Sequence, residues 1–123
     1  MWIFTKHSVV SVVEYDPTNG YADDGVAPQD RSKLLVRARK ARHLAELGFA
    51  DGEIISTPTN DYPYRVICDK TKFAAIMMDQ VLGINYENFK SECYVAGTHP
   101  EEMLHEVWGS VRNHLDTRTG LSF

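Results

Sequence analysis

The chain has 123 residues, of which 43% are hydrophobic and 24% charged, a balance typical of one folded domain and unlike that of a disordered segment. Its formal net charge of −4 disfavours a general nucleic-acid binder. No run approaches the roughly 20 apolar residues of a membrane span, and the N-terminus lacks the features of a signal peptide. The two cysteines, Cys68 and Cys93, form no CxxC motif and favour a reducing compartment. We therefore expect a cytoplasmic protein with one domain over residues 1–123 and no membrane segment.

The start of the chain predicts strand structure followed by a long loop. Residues 2–15 are rich in β-branched and aromatic side chains, which predicts one long strand or a hairpin that turns near Lys6 and His7. Residues 16–32 contain Pro, Gly, Asn and Asp throughout and predict an acidic loop. A loop of this length is either functional or merely flexible.

The next segment predicts a strand and then a helix. Residues 33–40 alternate apolar side chains with Arg37 and Arg39, which predicts a strand with one buried face and one cationic face. A helical pattern follows and ends at Gly48, a natural stop. Residues 52–57 predict a short strand or an extended connector.

Residues 62–68 predict a further strand. Pro63 has no backbone N–H to donate, so it belongs at the start of a strand or on an edge strand. Alternation along the strand places Tyr62 and Tyr64 on one face and Arg65 on the other. We therefore expect this strand to begin at an open edge of the sheet.

The second half of the chain predicts three helices, each with a candidate capping signal. Asp69 and Asn85 are expected to cap the first two helices, and Thr98 and Glu101 form a capping-box pattern before the third. The helices are predicted over residues 70–82, 85–95 and 99–115, and residues 117–123 are predicted to be a frayed tail.

Together these elements predict the α+β class, with a small mixed or antiparallel sheet and helices packed on one of its faces. A ferredoxin-like arrangement with a helical C-terminal extension is the favoured topology. The sequence contains no internal repeat and no low-complexity tract.

Motifs for common chemistry are absent from the sequence, which contains no GxxxxGK[ST], GxGxxG or GxSxG. Glu102 and His105 lie three residues apart on a predicted helix, a spacing that suits two ligands of one metal. The HExxH motif is not formed, however, and no further ligands are identified. We therefore predict no metal, no cofactor and no catalytic residue. Enzymatic activity is left open, with a non-enzymatic protein favoured.

Residues 31–43 carry the clearest charge pattern, because six of these thirteen residues are basic in an otherwise acidic chain. Such a strip can contact phosphate backbones or form an interface with a protein or ligand. It can equally pair with Asp23, Asp24 and Asp30 of the preceding acidic loop, or simply keep a strand and helix face soluble, which are the favoured interpretations. The six basic residues are Arg31, Lys33, Arg37, Arg39, Lys40 and Arg42.

The stretch TNDYPYRV, residues 59–66, has a structural and a functional interpretation. The tyrosines can close the margin of the core, since each combines a large ring with a polar tip. Alternatively, Tyr62, Tyr64 and Arg65 form a recognition surface, because Tyr and Arg dominate interface hot spots. No general base that would support catalysis is evident beside them.

A second candidate site depends on distant residues. If Arg65, Lys90 and His105 converge in space, they form a polar pocket for an anion. The sequence does not determine that convergence.

The segments MWIFTKHSVVSVV, LLVRARKARHLAEL, TPTNDYPYRV, INYENFK and LHEVW occur in this order along the chain. The combination resembles a family of small proteins encoded in bacterial genomes and phages, over residues 1–15 and 33–112. The resemblance implies a compact fold and a phage or prophage origin. Because no activity is established for the family, the resemblance implies no catalytic residue.

The sequence thus predicts a non-enzymatic binding or regulatory protein that docks on a host or phage macromolecule. Docking would use the edge at residues 62–65, the basic strip, or both. The alternatives are a small enzyme or anionic-ligand-binding domain with the Arg65 pocket, and nucleic-acid binding through the basic strip. A protein partner is expected first and nucleic acid second. A second copy of the chain is a third candidate, because exposed strand edges seek partners.

Overall fold

The computed structural model describes residues 1–16 and 31–116. Most of the predicted acidic loop and the predicted frayed tail of residues 117–123 lie outside the described residues. Of the loop, the structure describes Asp16, Arg31 and Ser32.

The chain divides into two compact units, Met1–Asn85 and Tyr86–Phe123, which are described separately. The first carries a β-sheet with helices, and the second carries two further helices. The predicted α+β class is confirmed. None of the helices in the described ranges combines the length and the apolar character needed to cross a membrane.

Within the described residues, the first unit is built on one five-stranded antiparallel sheet. The strands are β1 (Trp2–Phe4), β2 (Val9–Glu14), β3 (Lys33–Ala38), β4 (Ile55–Ser56) and β5 (Tyr64–Asp69). Strands β1, β2 and β3 are neighbours in chain order, whereas β5 lies between β3 and β4. The hairpin expected near Lys6 and His7 is present, since Phe4 of β1 pairs with Val9 of β2. This order differs from the βαββαβ pattern of ferredoxin-like domains, because three strands precede the first helix.

One face of this sheet forms the hydrophobic core. Side chains two residues apart on a strand point to the same face, so strand registers decide which rows meet. Val36 of β3 pairs with Val12 of β2 on one side and with Val66 of β5 on the other. Burying each such side chain stabilises the fold by about 1.5–3 kcal/mol. The strand residues of the core are Val10, Val12, Val36, Ala38, Val66 and Cys68.

Helices α1 (Ala41–Ala45) and α2 (Lys70–Leu82) pack on that face. Leu44 of α1 and Phe73 of α2 belong to the same buried cluster as the strand valines. The prediction that helices pack on one face of the sheet is therefore confirmed. Helix α1 is shorter than predicted, and the chain turns away at Gly48, whose φ of 101° favours glycine.

The second unit contains helices α3 (Phe89–Ala96) and α4 (Glu101–Leu115). Cys93 of α3 and Leu104 of α4 are buried. Helix α3 ends at Gly97, which adopts the left-handed conformation with φ 67°.

The capping residues of α3 and α4 differ from those predicted. Helix α3 is capped by Asn88, whose side-chain oxygen accepts a hydrogen bond from Ser91 N at 2.9 Å, so the expected cap at Asn85 is wrong. Helix α4 begins after Pro100 without a side-chain cap, so the capping box expected from Thr98 is not formed. Both errors have one cause: several polar residues precede each helix, and backbone geometry decides which of them takes the capping position.

Helix α2 begins where predicted, directly after Asp69. The Asp69 side chain makes no capping hydrogen bond, and instead forms an ion pair with Lys33 of β3 at 2.7 Å. A cross-strand neighbour has thus replaced the local backbone N–H as the partner of this carboxylate, since Lys33 and Asp69 face each other in the β3–β5 register.

Candidate functional site

The start of β5 is not an open edge. Arg65 pairs with Arg37 of β3 on one side and with Ile55 of β4 on the other. The predicted edge strand at Pro63 is therefore wrong at this position, because the two residues of β4 cover it. Pro63 itself lies directly before the strand, where its missing N–H costs no ladder bond.

Strands β4 and β5 are joined by residues 57–63, which we call the β4–β5 loop. Its ends are closed by a hydrogen bond from Thr57 N to the Pro63 carbonyl oxygen at 2.7 Å. Inside it, Asn60 N donates to the Thr57 carbonyl oxygen at 3.0 Å, which makes a tight turn. The loop is thus a folded structure with its own backbone bonds.

Arg65 is only 2% exposed, although sequence analysis placed it on a recognition surface. Its Nε donates to Thr57 Oγ1 at 3.1 Å, and its Nη2 donates to the Tyr62 carbonyl oxygen at 2.9 Å. The guanidinium therefore ties both ends of the β4–β5 loop to the sheet. Because it is buried, Arg65 positions the loop and does not present itself to a large partner.

Tyr62 lies beside two other arginines. The guanidinium carbons of Arg37 and Arg39 lie 4.9 and 4.8 Å from the centre of its ring, within the range of cation–π contacts. Tyr64, in contrast, packs against the hydrophobic core. The expectation that Tyr62 and Tyr64 share a face is wrong, because Tyr62 precedes the strand and lies in a bend of the chain.

A polar pocket of about 280 Å³ opens beside these groups. Its wall combines the two paired arginines of the sheet with residues of the β4–β5 loop. The lining residues are Arg37, Thr59, Asn60, Asp61, Tyr62 and Arg65. We call this cavity the arginine pocket.

Arg37 is held by neutral groups. Its Nη2 donates to Ser11 Oγ at 2.8 Å, and its guanidinium lies over the Tyr62 ring. Its Nε is buried and has no hydrogen-bond partner among residues 1–16 and 31–116. Within the described part of the chain, no carboxylate lies within ion-pair distance of Arg37. Among the described residues, the positive charge of this half-buried side chain is therefore not balanced by a direct acidic neighbour.

Lys90 and His105 line a different pocket, of about 870 Å³, within the second unit. Both contact Trp108: the Lys90 ammonium lies 5.3 Å from a ring centre of the indole, and the His105 ring stacks at 6.1 Å. Arg65 belongs to the first unit and lines the arginine pocket. The structure thus places Lys90 and His105 at one pocket and Arg65 at another.

The basic strip is divided among several environments. Arg31 pairs with Glu14 at 2.9 Å and Lys33 pairs with Asp69, so these two charges are compensated. Arg37 and Arg39 contact Tyr62 instead. The strip does not form one continuous cationic face in the described residues. Its predicted pairing with the preceding loop concerns Asp23, Asp24 and Asp30, which lie outside the described residues.

The two thiols are unsuited to reactive chemistry. Cys68 and Cys93 are free and buried, and burial raises the pKa of each thiol above its usual value. The thiolate form, which is the nucleophile and the metal ligand, is therefore disfavoured. Among residues 1–16 and 31–116, no group of three or more metal-binding side chains is found.

The sequence pattern indicates Arg37, Arg39 and Tyr62 as candidate site residues but gives no role to Thr59, Asn60 and Asp61. The available signal was the composition of the segment TPTND, because Asn and Asp favour tight turns. A turn next to a strand start brings backbone and side-chain polar groups close to the sheet residues beside it. Which residues these are depends on strand pairing, which the segment itself does not encode.

Searches among protein-family models, curated proteins and solved structures found no significant match to this chain. The resemblance to small bacterial and phage proteins therefore stays a prediction. The case for binding at this site rests on its geometry.

Proposed function

We propose that the chain is a non-enzymatic binding protein that docks on a protein partner through Arg37, Tyr62 and Arg39. The observation that supports this is the cation–aromatic cluster, in which two guanidinium groups lie over one tyrosine ring. Arginine and tyrosine are the residue types that most often dominate binding energy at protein interfaces. The resemblance described above favours a bacterial or phage macromolecule as the partner.

The side chains of the cluster, Arg37, Arg39 and Tyr62, are already held in place without a partner. Arg39 Nη1 donates to the Asp61 carbonyl oxygen at 3.0 Å, and the Tyr62 carbonyl oxygen is held by the buried Arg65. Long side chains that are already fixed lose less conformational entropy on binding, which is worth about 0.5–1.5 kcal/mol for each immobilised side chain. Arg39 is exposed, so its charge is accessible to an acidic group of the partner.

A protein partner fits the charge distribution better than nucleic acid does. The net charge of −4 opposes a polyanion, and two basic residues of the strip are compensated by Glu14 and Asp69. Arg37 and Arg39, which share the Tyr62 ring, form a compact pair suited to one or two carboxylates. A long phosphate backbone would require an extended row of unpaired cations.

Capture from a bacterial lysate with quantitative mass spectrometry tests this proposal. Tyr62→Ala and Arg39→Ala should each remove the partner, or weaken its Kd by about ten-fold or more. Tyr94→Ala and Arg31→Ala are matched controls, since both side chains are exposed and lie outside the cluster, and they should retain the partner.

Retention of every partner by both cluster variants would contradict the proposal. A captured complex that disappears after nuclease treatment, with affinity falling steeply with salt, would instead identify a nucleic-acid binder.

A further inference from the structure

Two arginines stand side by side in the sheet. Arg37 and Arg65 are direct partners in the β3–β5 register and therefore project from the same face. Directly opposed residues have Cβ atoms about 4.5–5.5 Å apart, and like charges in such positions are destabilising. One of the two, Arg65, is 2% exposed, so solvent screens the repulsion poorly. An anion bound at Arg37 would reduce this repulsion.

The contacts of Arg37 leave it able to bind such an anion. A guanidinium has five N–H donors, and the hydrogen bond that Arg37 makes goes to the neutral hydroxyl of Ser11. Its second contact, the ring of Tyr62, is also uncharged. Both contacts orient the guanidinium and leave its charge in place. Arginine forks of this kind match the geometry of phosphate and carboxylate oxygens.

The walls of the arginine pocket are polar on the side of the β4–β5 loop. Thr59 and Asn60 contribute a hydroxyl and an amide group that can donate to an oxyanion. Among the described residues of the lining, Asp61 is the one acidic side chain, and it lies beside two arginines. The volume of about 280 Å³ suits a small group, because pockets for drug-sized ligands begin at about 300 Å³.

We propose that the arginine pocket binds a phosphate group, either as the free ion or as part of a small phosphate ester. Arg37 contributes the binding charge, and Arg65 fixes the loop that supplies the neutral donors. This inference goes beyond the proposed function, since it assigns a small ligand to a pocket beside the same cluster. It does not require that a protein partner exists.

Two-dimensional NMR of the full chain, titrated with inorganic phosphate at constant ionic strength, tests the inference. Saturable shifts should appear at the backbone amides of 59–62, with a Kd in the millimolar range or below. A parallel titration with phenyl phosphate distinguishes the two sources: tighter binding than inorganic phosphate identifies an ester, and weaker binding identifies the free ion.

Removing a positive charge and removing a negative charge from the pocket should change the affinity for phosphate in opposite directions. Arg37→Gln should weaken phosphate binding by about ten-fold or more, because a charge-assisted hydrogen bond is lost. Asp61→Asn should tighten it by about two- to five-fold, because a repulsive carboxylate is removed. Arg37→Lys keeps the positive charge but lacks the paired N–H donors of the guanidinium. Its affinity for phosphate should lie between those of Arg37→Gln and the parent. Arg31→Gln, outside the pocket, should leave the Kd unchanged.

Shifts that rise linearly with phosphate at exposed basic residues throughout the chain would overturn the inference, as would an unchanged Kd in both Arg37→Gln and Asp61→Asn. The spectrum of each variant without phosphate shows whether it is folded. Phosphate binding without any partner lost in Arg39→Ala would refute the proposed function alone. Partner loss without saturable phosphate shifts would refute this inference alone.

Discussion

At the scale of single residues, Arg65 shows how a charged side chain can serve the fold. It is almost fully buried, and it donates to Thr57 Oγ1 and to the Tyr62 carbonyl oxygen. Burying a charge is costly unless its hydrogen-bonding groups are satisfied. The hydrogen bonds of Arg65 fix both ends of the β4–β5 loop to the sheet. The fixed loop places the Tyr62 ring beside Arg37.

Replacing Arg65 tests this role. In Arg65→Lys the charge remains, but a single ammonium cannot reproduce the two divergent bonds of the guanidinium. We expect the free energy of unfolding to fall by about 2–4 kcal/mol, measured by urea denaturation followed by circular dichroism.

Arg39→Lys provides the matched control, because Arg39 is exposed and contacts the same loop. Its effect on the free energy of unfolding should stay within about 0.5 kcal/mol. Equal stability of Arg65→Lys and the parent would show that Arg65 does not support the loop.

At the scale of secondary-structure elements, local hydrogen bonds decide where helices begin. Helix α3 starts after Asn88, whose side-chain oxygen accepts from Ser91 N at 2.9 Å. The first N–H groups of a helix have no partner within the helix, so a side-chain acceptor stabilises the end. Asn85, three residues earlier, has the same side chain but lies outside α3.

The two asparagines allow a matched comparison. Asn88→Ala should destabilise α3 by about 1 kcal/mol, whereas Asn85→Ala should have little effect on it. Hydrogen exchange of the Ser91 amide should accelerate in Asn88→Ala and remain unchanged in Asn85→Ala. The opposite ranking would mean that α3 begins one turn earlier in solution.

At the scale of the molecule, ion pairs connect helix α2 to segments of the first unit that are distant in sequence. Glu14 of β2 pairs with Lys70 at the start of α2 at 3.0 Å, and Glu53 pairs with Lys72 at 2.8 Å. The hydrogen bond from Lys70 lowers the pKa of Glu14, and the hydrogen bond from Lys72 lowers the pKa of Glu53. All four side chains are substantially exposed, so the contribution of each pair to stability is small.

These pKa shifts determine the sign of the pH dependence. A carboxyl group whose pKa is lower when folded contributes stability that is complete above its unfolded pKa, about 4.3 for Glu, and is lost as the pH falls through the folded pKa. The double variant Glu14→Gln and Glu53→Gln should therefore be less stable than the parent at neutral pH. The difference should vanish on acidification, and it should shrink with added salt.

Thermal unfolding over a series of pH values measures this difference. Glu46→Gln is the control, since Glu46 forms no ion pair among the described residues. Its replacement should not change the dependence of stability on pH. A difference in stability between the parent and the double variant that increases on acidification would contradict the predicted pH dependence.

The candidate site was only partly predictable. Arg37, Arg39 and Tyr62 stood out because a cationic strand face and an aromatic residue beside proline are recognisable in one sequence. Thr59, Asn60 and Asp61 were missed, because their proximity to Arg37 arises from the pairing of β3 with β5. Whether Lys90 and His105 meet Arg65 was left open by the sequence. The structure places Lys90 and His105 at a pocket of the second unit, whereas Arg65 lines the arginine pocket of the first.

The sequence by itself determined the elements whose signals are local. Helix α2 over Lys70–Leu82 and the strands β3 and β5 follow from hydrophobic period and from flanking residues, so one segment contains the whole signal. Only the tertiary structure decided that β5 is covered by β4, that Arg65 is buried, and that Tyr62 turns away from Tyr64. These outcomes depend on contacts between residues far apart in the chain, and their free energies are set by packing and strand register, which no single segment specifies.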